Sequence, residues 1–163
     1  MFKRICAALV ASLSLSTPAL AKYDSGTVEL LQTVQRYGAT VEYNPSHCRT
    51  ATYSGRYVVN GRILSLCYSG RPTADDHDTV RHEAWHFLQH CSAVRRGYGH
   101  TIVPVARHSS VRTQWVHRAL SRNHIHRITS TYPAHTHAIE LEAFAAADYY
   151  TAAEIARLIR QWC

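Results

Sequence analysis

The residues with the clearest capacity for chemistry are the five consecutive positions His82-Glu83-Ala84-Trp85-His86. On an α-helix, residues i and i+4 share a face, so His82 and His86 can offer two imidazole nitrogens to one metal ion. Glu83 is the neighbour of His82 around the helix and can reach a water molecule beside that ion without being a ligand itself. This spacing predicts a zinc site with two ligands and a general base on one helical turn.

A third protein ligand must come from another segment. Glu140 and Glu142 fall in a later segment with a helical pattern and lie about 200° apart around a helix, so at most one of them can face the ion. His90 follows the motif by one turn, but three ligands from a single helix fit tetrahedral zinc poorly. His135 and His137 precede the two glutamates and are placed to line a cleft.

The elements around the motif are predicted from periodicity and turn residues. The motif itself falls in a helix over about 79–96, which Asp76 or Asp78 would cap and Gly97 would end. Upstream, Asn60-Gly61 separates two apolar runs, which predicts a β-hairpin over 56–68 with a type I′ turn.

Three further segments show a helical pattern: 24–38, a stretch around 111–120, and 136–162, the last split near Tyr150-Thr151. Val41 and Tyr43 indicate one more short strand. The predicted fold class is α+β, a small antiparallel sheet or β-hairpin packed on helices, with the metal between the motif helix and the helix that begins near 136.

This combination of a His-Glu-x-x-His helix, an upstream β-ribbon and a downstream helix bearing glutamates resembles the zincin metallopeptidases. A glycine and third histidine shortly after the motif, as in one zincin group, do not occur in Phe87-Leu88-Gln89-His90. The chain is more similar to the gluzincin group, in which a glutamate from a later helix is the third ligand. The resemblance covers roughly residues 55–150.

Within this resemblance Glu140 is the favoured third ligand, and Glu142 is the alternative. In gluzincins a small residue often stands three positions after the ligand, as Ala143 does relative to Glu140. Those proteins often place an Asp four positions after the ligand to support a histidine, whereas this chain has Phe144 there and its nearest Asp at Asp148.

The function implied by the resemblance is that of an exported zinc-dependent metallopeptidase acting on peptides or proteins. Zn²⁺ held by His82, His86 and Glu140 would activate a water molecule, and Glu83 would act as the general base. Tyr132, His135 and His137 are the candidates for stabilising the oxyanion. Substrate would add as a strand along residues 63–68.

The N-terminus and the cysteines point to export. Lys3 and Arg4, the apolar stretch that follows them and Ala19-Leu20-Ala21 are typical of a signal peptide over 1–21, with a mature domain over 22–163 that is secreted or periplasmic. Four cysteines remain after its removal, an even number that suits an oxidising compartment and allows three pairings. We favour Cys48–Cys67, which would join the two arms of a β-ribbon, and Cys91–Cys163, which would tie the chain end to the helix of the motif. Zinc binding by these cysteines is less favoured because no two of them have Cys-x-x-Cys spacing.

Two alternative functions stay open, one from the charge distribution and one from the absence of an Asp four positions after Glu140. The formal net charge is +7, or +5 without Lys3 and Arg4, and no acidic residue occurs between Glu83 and Glu140. A basic module that binds polyanions or acidic substrates is therefore one alternative, although no arrangement typical of nucleic-acid binding is found. A zinc-binding domain without catalytic activity is the other.

No segment after residue 21 is apolar enough to predict a membrane span.

Overall fold

A computed structural model describes residues 23–68 and 72–163, and the predicted signal peptide lies outside them. The elements follow the chain in this order: α1 (Ser25–Arg36), β1 (Thr40–Tyr43), β2 (Gly55–Val58), β3 (Ile63–Leu66), α2 (Ala74–Arg95), α3 (Ser109–Ala119), α4 (Arg122–Thr131), α5 (His137–Tyr149) and α6 (Ala152–Trp162). The predicted α+β class is confirmed. Among the described residues, no helix combines the length and the apolar character needed to cross a membrane.

Helix α2 is the centre of the fold because most of its sides are covered. Its 22 residues pack against α1, α5 and α6 on the helical side and against β2 and β3 on the other. Side chains from both layers form one continuous core: Leu30, Leu31, Leu64, Phe87, Leu88, Ile155 and Ile159. A smaller apolar cluster joins α3, α4 and α5.

Helix α2 begins earlier than the sequence indicates. Thr73, rather than Asp76 or Asp78, is the N-cap, and Asp76 accepts a hydrogen bond from the Thr73 backbone N–H at 2.7 Å to complete a capping box. This reciprocal arrangement satisfies two backbone donors at once. The helix therefore gains one more turn before the motif.

The sheet is mixed, with strand order β1-β3-β2. Strands β2 and β3 form the predicted antiparallel hairpin, while β1 pairs with β3 in parallel. The prediction that residues 63–68 provide a free edge is wrong, since β3 is the central strand. Strand β2 is an edge of the sheet instead.

The hairpin turn differs from the predicted type I′. That type needs positive φ at both central residues, and here Asn60 does not adopt it. Positive φ occurs one position later, at Gly61 (+87°) and Arg62 (+52°). The Arg62 N–H donates to the Val59 carbonyl at 3.1 Å and closes the turn.

Both predicted disulfides are confirmed, Cys48–Cys67 and Cys91–Cys163. The second ties the chain beyond α6 to α2, as expected. The first joins the short 3₁₀ turn after β1 to the residue following β3, and not the two arms of the hairpin. Two such crosslinks are typical of proteins that fold in an oxidising compartment.

Candidate metal centre

The motif histidines and Glu140 converge on one point between α2 and α5. His82 Nε2 and His86 Nε2 are 3.0 Å apart, and Glu140 Oε2 lies 3.4 Å from the first and 3.5 Å from the second. A tetrahedral ion with ligands at 2.0–2.1 Å separates its ligand atoms by about 3.3–3.4 Å. The three atoms therefore already have nearly the spacing that tetrahedral zinc requires.

Burial and charge prepare this cluster for a cation. His82, Glu83 and His86 are each 7% exposed. Burial raises the pKa of Glu140, but hydrogen bonds with His82 and His86 outweigh it and lower the pKa to about 2. Burial alone would lower the pKa of His86. The hydrogen bond with Glu140 and the nearby charge of Glu83 outweigh burial, so the pKa of His86 is raised above its ordinary value. Two carboxylates thus act on one buried pair of imidazoles, and a cation would be stabilised there.

Gln89 determines which ring nitrogen of His86 faces the cluster. The Gln89 Nε2 donates to the Ile139 carbonyl at 3.1 Å and to Glu142 at 2.8 Å, and both partners are acceptors. The amide oxygen of Gln89 is therefore the atom that lies 2.8 Å from His86 Nδ1. This oxygen can only accept, so the Nδ1–H group of His86 donates to it. In the neutral ring this leaves the Nε2 lone pair free to bind a metal ion.

Glu142 lies outside the cluster, in a network of its own. Its side chain is fully buried, and four donors surround its two oxygens. They are the Gln89 amide, the Trp85 indole N–H and the backbone N–H groups of Val105 and Ala106, at 2.8–3.3 Å. Glu142 therefore anchors the segment before α3 and supports Gln89, whereas Glu140 belongs to the metal cluster.

His82 is held by packing instead. Its Nδ1 is buried and has no hydrogen-bond partner among the described residues. The Phe144 ring stands 4.3 Å from the His82 ring, centroid to centroid. The support of His82 on this side is therefore apolar packing.

A cavity of about 340 Å³ opens onto His82 and Glu83. Tyr132 and Phe144 line it as well, and Asp75, Asp78 and Asp148 stand at the same opening. Burial, with the nearby charges of Glu140 and Glu83, raises the pKa of Tyr132 to about 12. Its hydroxyl group stays protonated at neutral pH and can donate a hydrogen bond into the cavity.

Gly55, at the start of β2, is fitted closely against the motif helix. A Cβ atom at this position would lie 2.5 Å from Thr79 Cγ2 and 2.9 Å from Glu83 Cγ. Real Cβ atoms do not make such short contacts, so only glycine allows the strand to approach here. The edge strand and the Glu83 side chain are consequently neighbours.

The other histidines named from the sequence lie apart from the cluster. His137 Nε2 donates to the Tyr132 carbonyl at 2.8 Å, and His135 is exposed. His90 contacts the Tyr57 hydroxyl at 2.6 Å and His100 at 3.1 Å. A second group of potential ligands, His47 with Cys48 and Cys67, offers no thiolate because its cysteines are in a disulfide.

Gln89 and the supporting role of Glu142 are the functional features that sequence reasoning missed. Gln89 stands three residues after His86 and seven after His82, which places it on the same helix face. Helical spacing alone could therefore have identified it. The role of Glu142 depends on Val105 and Ala106, which the sequence does not connect to it.

Comparison with protein-family models, with curated proteins and with solved structures finds no match to this chain. The candidate function consequently depends on the geometry of the site.

Proposed function

We propose that the protein is a zinc-dependent metallopeptidase, with Zn²⁺ held by His82, His86 and Glu140. The observation that carries this proposal is the convergence of these three ligand atoms beside Glu83, at the wall of an open cavity. Two imidazoles and one carboxylate form the ligand set of catalytic zinc sites that keep a position for water.

The chain's own residues have distinct roles in this proposal. A bound zinc ion supplies Lewis acidity, which brings the pKa of water towards neutrality and polarises a carbonyl group. Glu83 accepts a proton from the attacking water and later transfers it to the leaving amine. Tyr132, which lines the same cavity, donates a hydrogen bond to the developing oxyanion.

The edge strand and the cavity favour an extended peptide as substrate. The segment entering β2, residues 52–55, lines the cavity, so a peptide pairing with the free side of β2 would pass over Glu83. The cavity wall contains aspartates and no arginine or lysine. Neutral or basic peptides therefore suit it better than acidic ones.

We further propose that the protein acts outside the cytoplasm, secreted or in the periplasm. The predicted signal peptide and the two disulfides support this location together.

A peptide-library cleavage assay on zinc-loaded protein tests the proposed activity. Glu83→Gln keeps the ligands and removes the base, so we expect bound zinc with hydrolysis reduced about 100- to 10,000-fold. Glu29→Gln, the same substitution on the exposed side of α1, is the matched control and should leave hydrolysis unchanged. Equal hydrolysis by the Glu83→Gln protein and the wild type would rule out this role.

The alternative of a zinc-binding domain without activity predicts a closed site with a fourth protein ligand, such as His90 or His137. Within the described residues the cluster comprises three ligand groups, and both of those histidines have other partners. The geometry therefore supports the peptidase. Stoichiometric zinc without cleavage of any library peptide would favour the alternative.

A further inference from the structure

Three arginines converge at the end of α2, away from the metal cluster. Arg95 and Arg96 come from the last turn of α2 and its C-cap, and Arg107 from the segment before α3. Together with Tyr98 and Trp162 they line a cleft of about 380 Å³, which we call the arginine cleft. Its lining contains no aspartate or glutamate.

Two of the three guanidinium groups, those of Arg95 and Arg96, are held in place without a carboxylate partner. Arg95 donates to the Gln161 carbonyl and lies over the Trp162 ring at 5.4 Å. Arg96 donates to the Pro104 carbonyl at 2.9 Å and lies over the Tyr98 ring at 5.1 Å. Carbonyls and aromatic rings fix the direction of a guanidinium group and leave it positively charged.

Two arginines outside the cleft have carboxylate partners among the described residues, whereas others, such as Arg112 and Arg118, have none. Arg160 forms an ion pair with Glu29 at 3.1 Å, and Arg81 forms one with Asp78. Like charges that share a cleft repel one another, and an anion placed between them would relieve that repulsion. The arginine cleft therefore differs from an ordinary solvated basic surface because two of its arginines have a fixed direction and because its lining contains no aspartate or glutamate.

The positive surface continues beyond the cleft. An adjoining cavity of about 430 Å³ shares Arg95 and Trp162 and adds Arg62 and His90, again without an aspartate or glutamate side chain. Burial and the nearby charge of Arg62 lower the pKa of His90, so among the residues lining this cavity Arg62 is the further cationic contact for a ligand longer than a single ion.

We propose that the arginine cleft is a second binding site, which takes a sulfate or phosphate group carried on a larger anion. Tetrahedral oxyanions match the planar fork of donors that arginine presents. Arg95 follows His86 by nine residues, or about 14 Å along the helix, so the site is separate from the metal cluster. It would hold an anionic partner while the cavity at Glu83 stays open.

Binding of two probes, a heparin hexasaccharide and inorganic tripolyphosphate, tests this site and distinguishes sulfate from phosphate as the source. The variant Arg95→Gln/Arg96→Gln/Arg107→Gln should bind the preferred probe at least about tenfold more weakly. A plot of log K against log salt concentration should be less steep for this variant than for the wild type. The size of its negative slope should be smaller by about three, one for each lost contact.

The matched control removes the same charge from the same acid-free stretch. Arg118, Arg122 and Arg127 are all exposed on α3 and α4, outside the cleft, and their triple Gln variant should bind nearly as the wild type does. If both triple variants lose affinity equally, or if neither probe binds the wild type, the proposal is overturned. Arg107→Gln alone, at an exposed position, should still weaken binding if the triple cleft variant fails to fold.

Discussion

The buried carboxylate of Glu142 accepts a hydrogen bond from the Gln89 amide at 2.8 Å, and this contact orients the amide oxygen towards His86. His86 on α2, a proposed metal ligand, is thereby supported by a residue of α5 that is not part of the cluster formed by His82, His86 and Glu140. The Glu142–Gln89–His86 chain provides one supporting contact, and Phe144 packing on His82 provides the other.

Replacing Gln89 should weaken zinc binding without removing a ligand. Gln89→Met keeps the length of the side chain and loses the acceptor for His86 Nδ1. We expect zinc affinity to fall about 10- to 100-fold, as for other hydrogen-bond partners of metal ligands. Competition with a chromophoric chelator measures this, with Gln114→Met on the exposed side of α3 as control. Unchanged affinity would show that Gln89 does not position His86.

The same substitution at two neighbouring glutamates should give opposite results. Glu140→Gln removes the anionic ligand, so we expect stoichiometric zinc to be lost while the fold remains. Glu142→Gln should leave zinc bound but lower the free energy of unfolding by about 1–3 kcal/mol, because one of its four donors would lose an acceptor. Zinc analysis and urea unfolding of both variants measure this. If Glu142→Gln lost zinc and Glu140→Gln kept it, Glu142 and not Glu140 would be the zinc ligand.

Gly55→Ala should impair catalysis more than metal binding. The added Cβ would meet Thr79 and Glu83, and either the strand or the Glu83 side chain must move. We expect hydrolysis to fall at least about tenfold, since a displacement near 1 Å at a catalytic group has large effects. Zinc stoichiometry should stay at one. Gly26→Ala, where the nearest atom lies at 3.4 Å, is the control, and equal hydrolysis by the two variants would contradict a role for this contact.

Local features of the sequence predicted much of the fold. The α+β class, the hairpin strands, the division of the last helical segment near Tyr150 and both disulfides are confirmed. Each depends on patterns within a short stretch or on the small number of ways in which four cysteines can pair.

The features that were missed depend on contacts between distant segments. The parallel pairing of β1 with β3 involves strands more than 20 residues apart, and no turn signal announces it. Helix α4 was not predicted, although Ser121 caps it and Ile128 is buried on one side. The turn type was wrong because Arg62, not Asn60, adopts the left-handed conformation that the closure of this hairpin requires.

At the site, the sequence narrowed the third ligand to two glutamates but could not separate them from spacing alone. Because the two glutamates lie on different sides of α5, they cannot both face the ion. The orientation of α5 places Glu140, and not Glu142, beside His82 and His86. That orientation depends on how α5 packs against α2, which includes the hydrogen bonds from Trp85 and Gln89 to Glu142.

The zinc content of the purified protein, residues 22–163, tests the metal centre most directly. Wild type should retain one zinc per chain after dialysis against a weak chelator, and His82→Ala/His86→Ala should retain none. His117→Ala/His126→Ala, an equal change at exposed positions of α3 and α4, should behave as the wild type does and account for any surface binding by the twelve histidines. Equal zinc in all three proteins, or none in any, would contradict a metal centre at His82, His86 and Glu140.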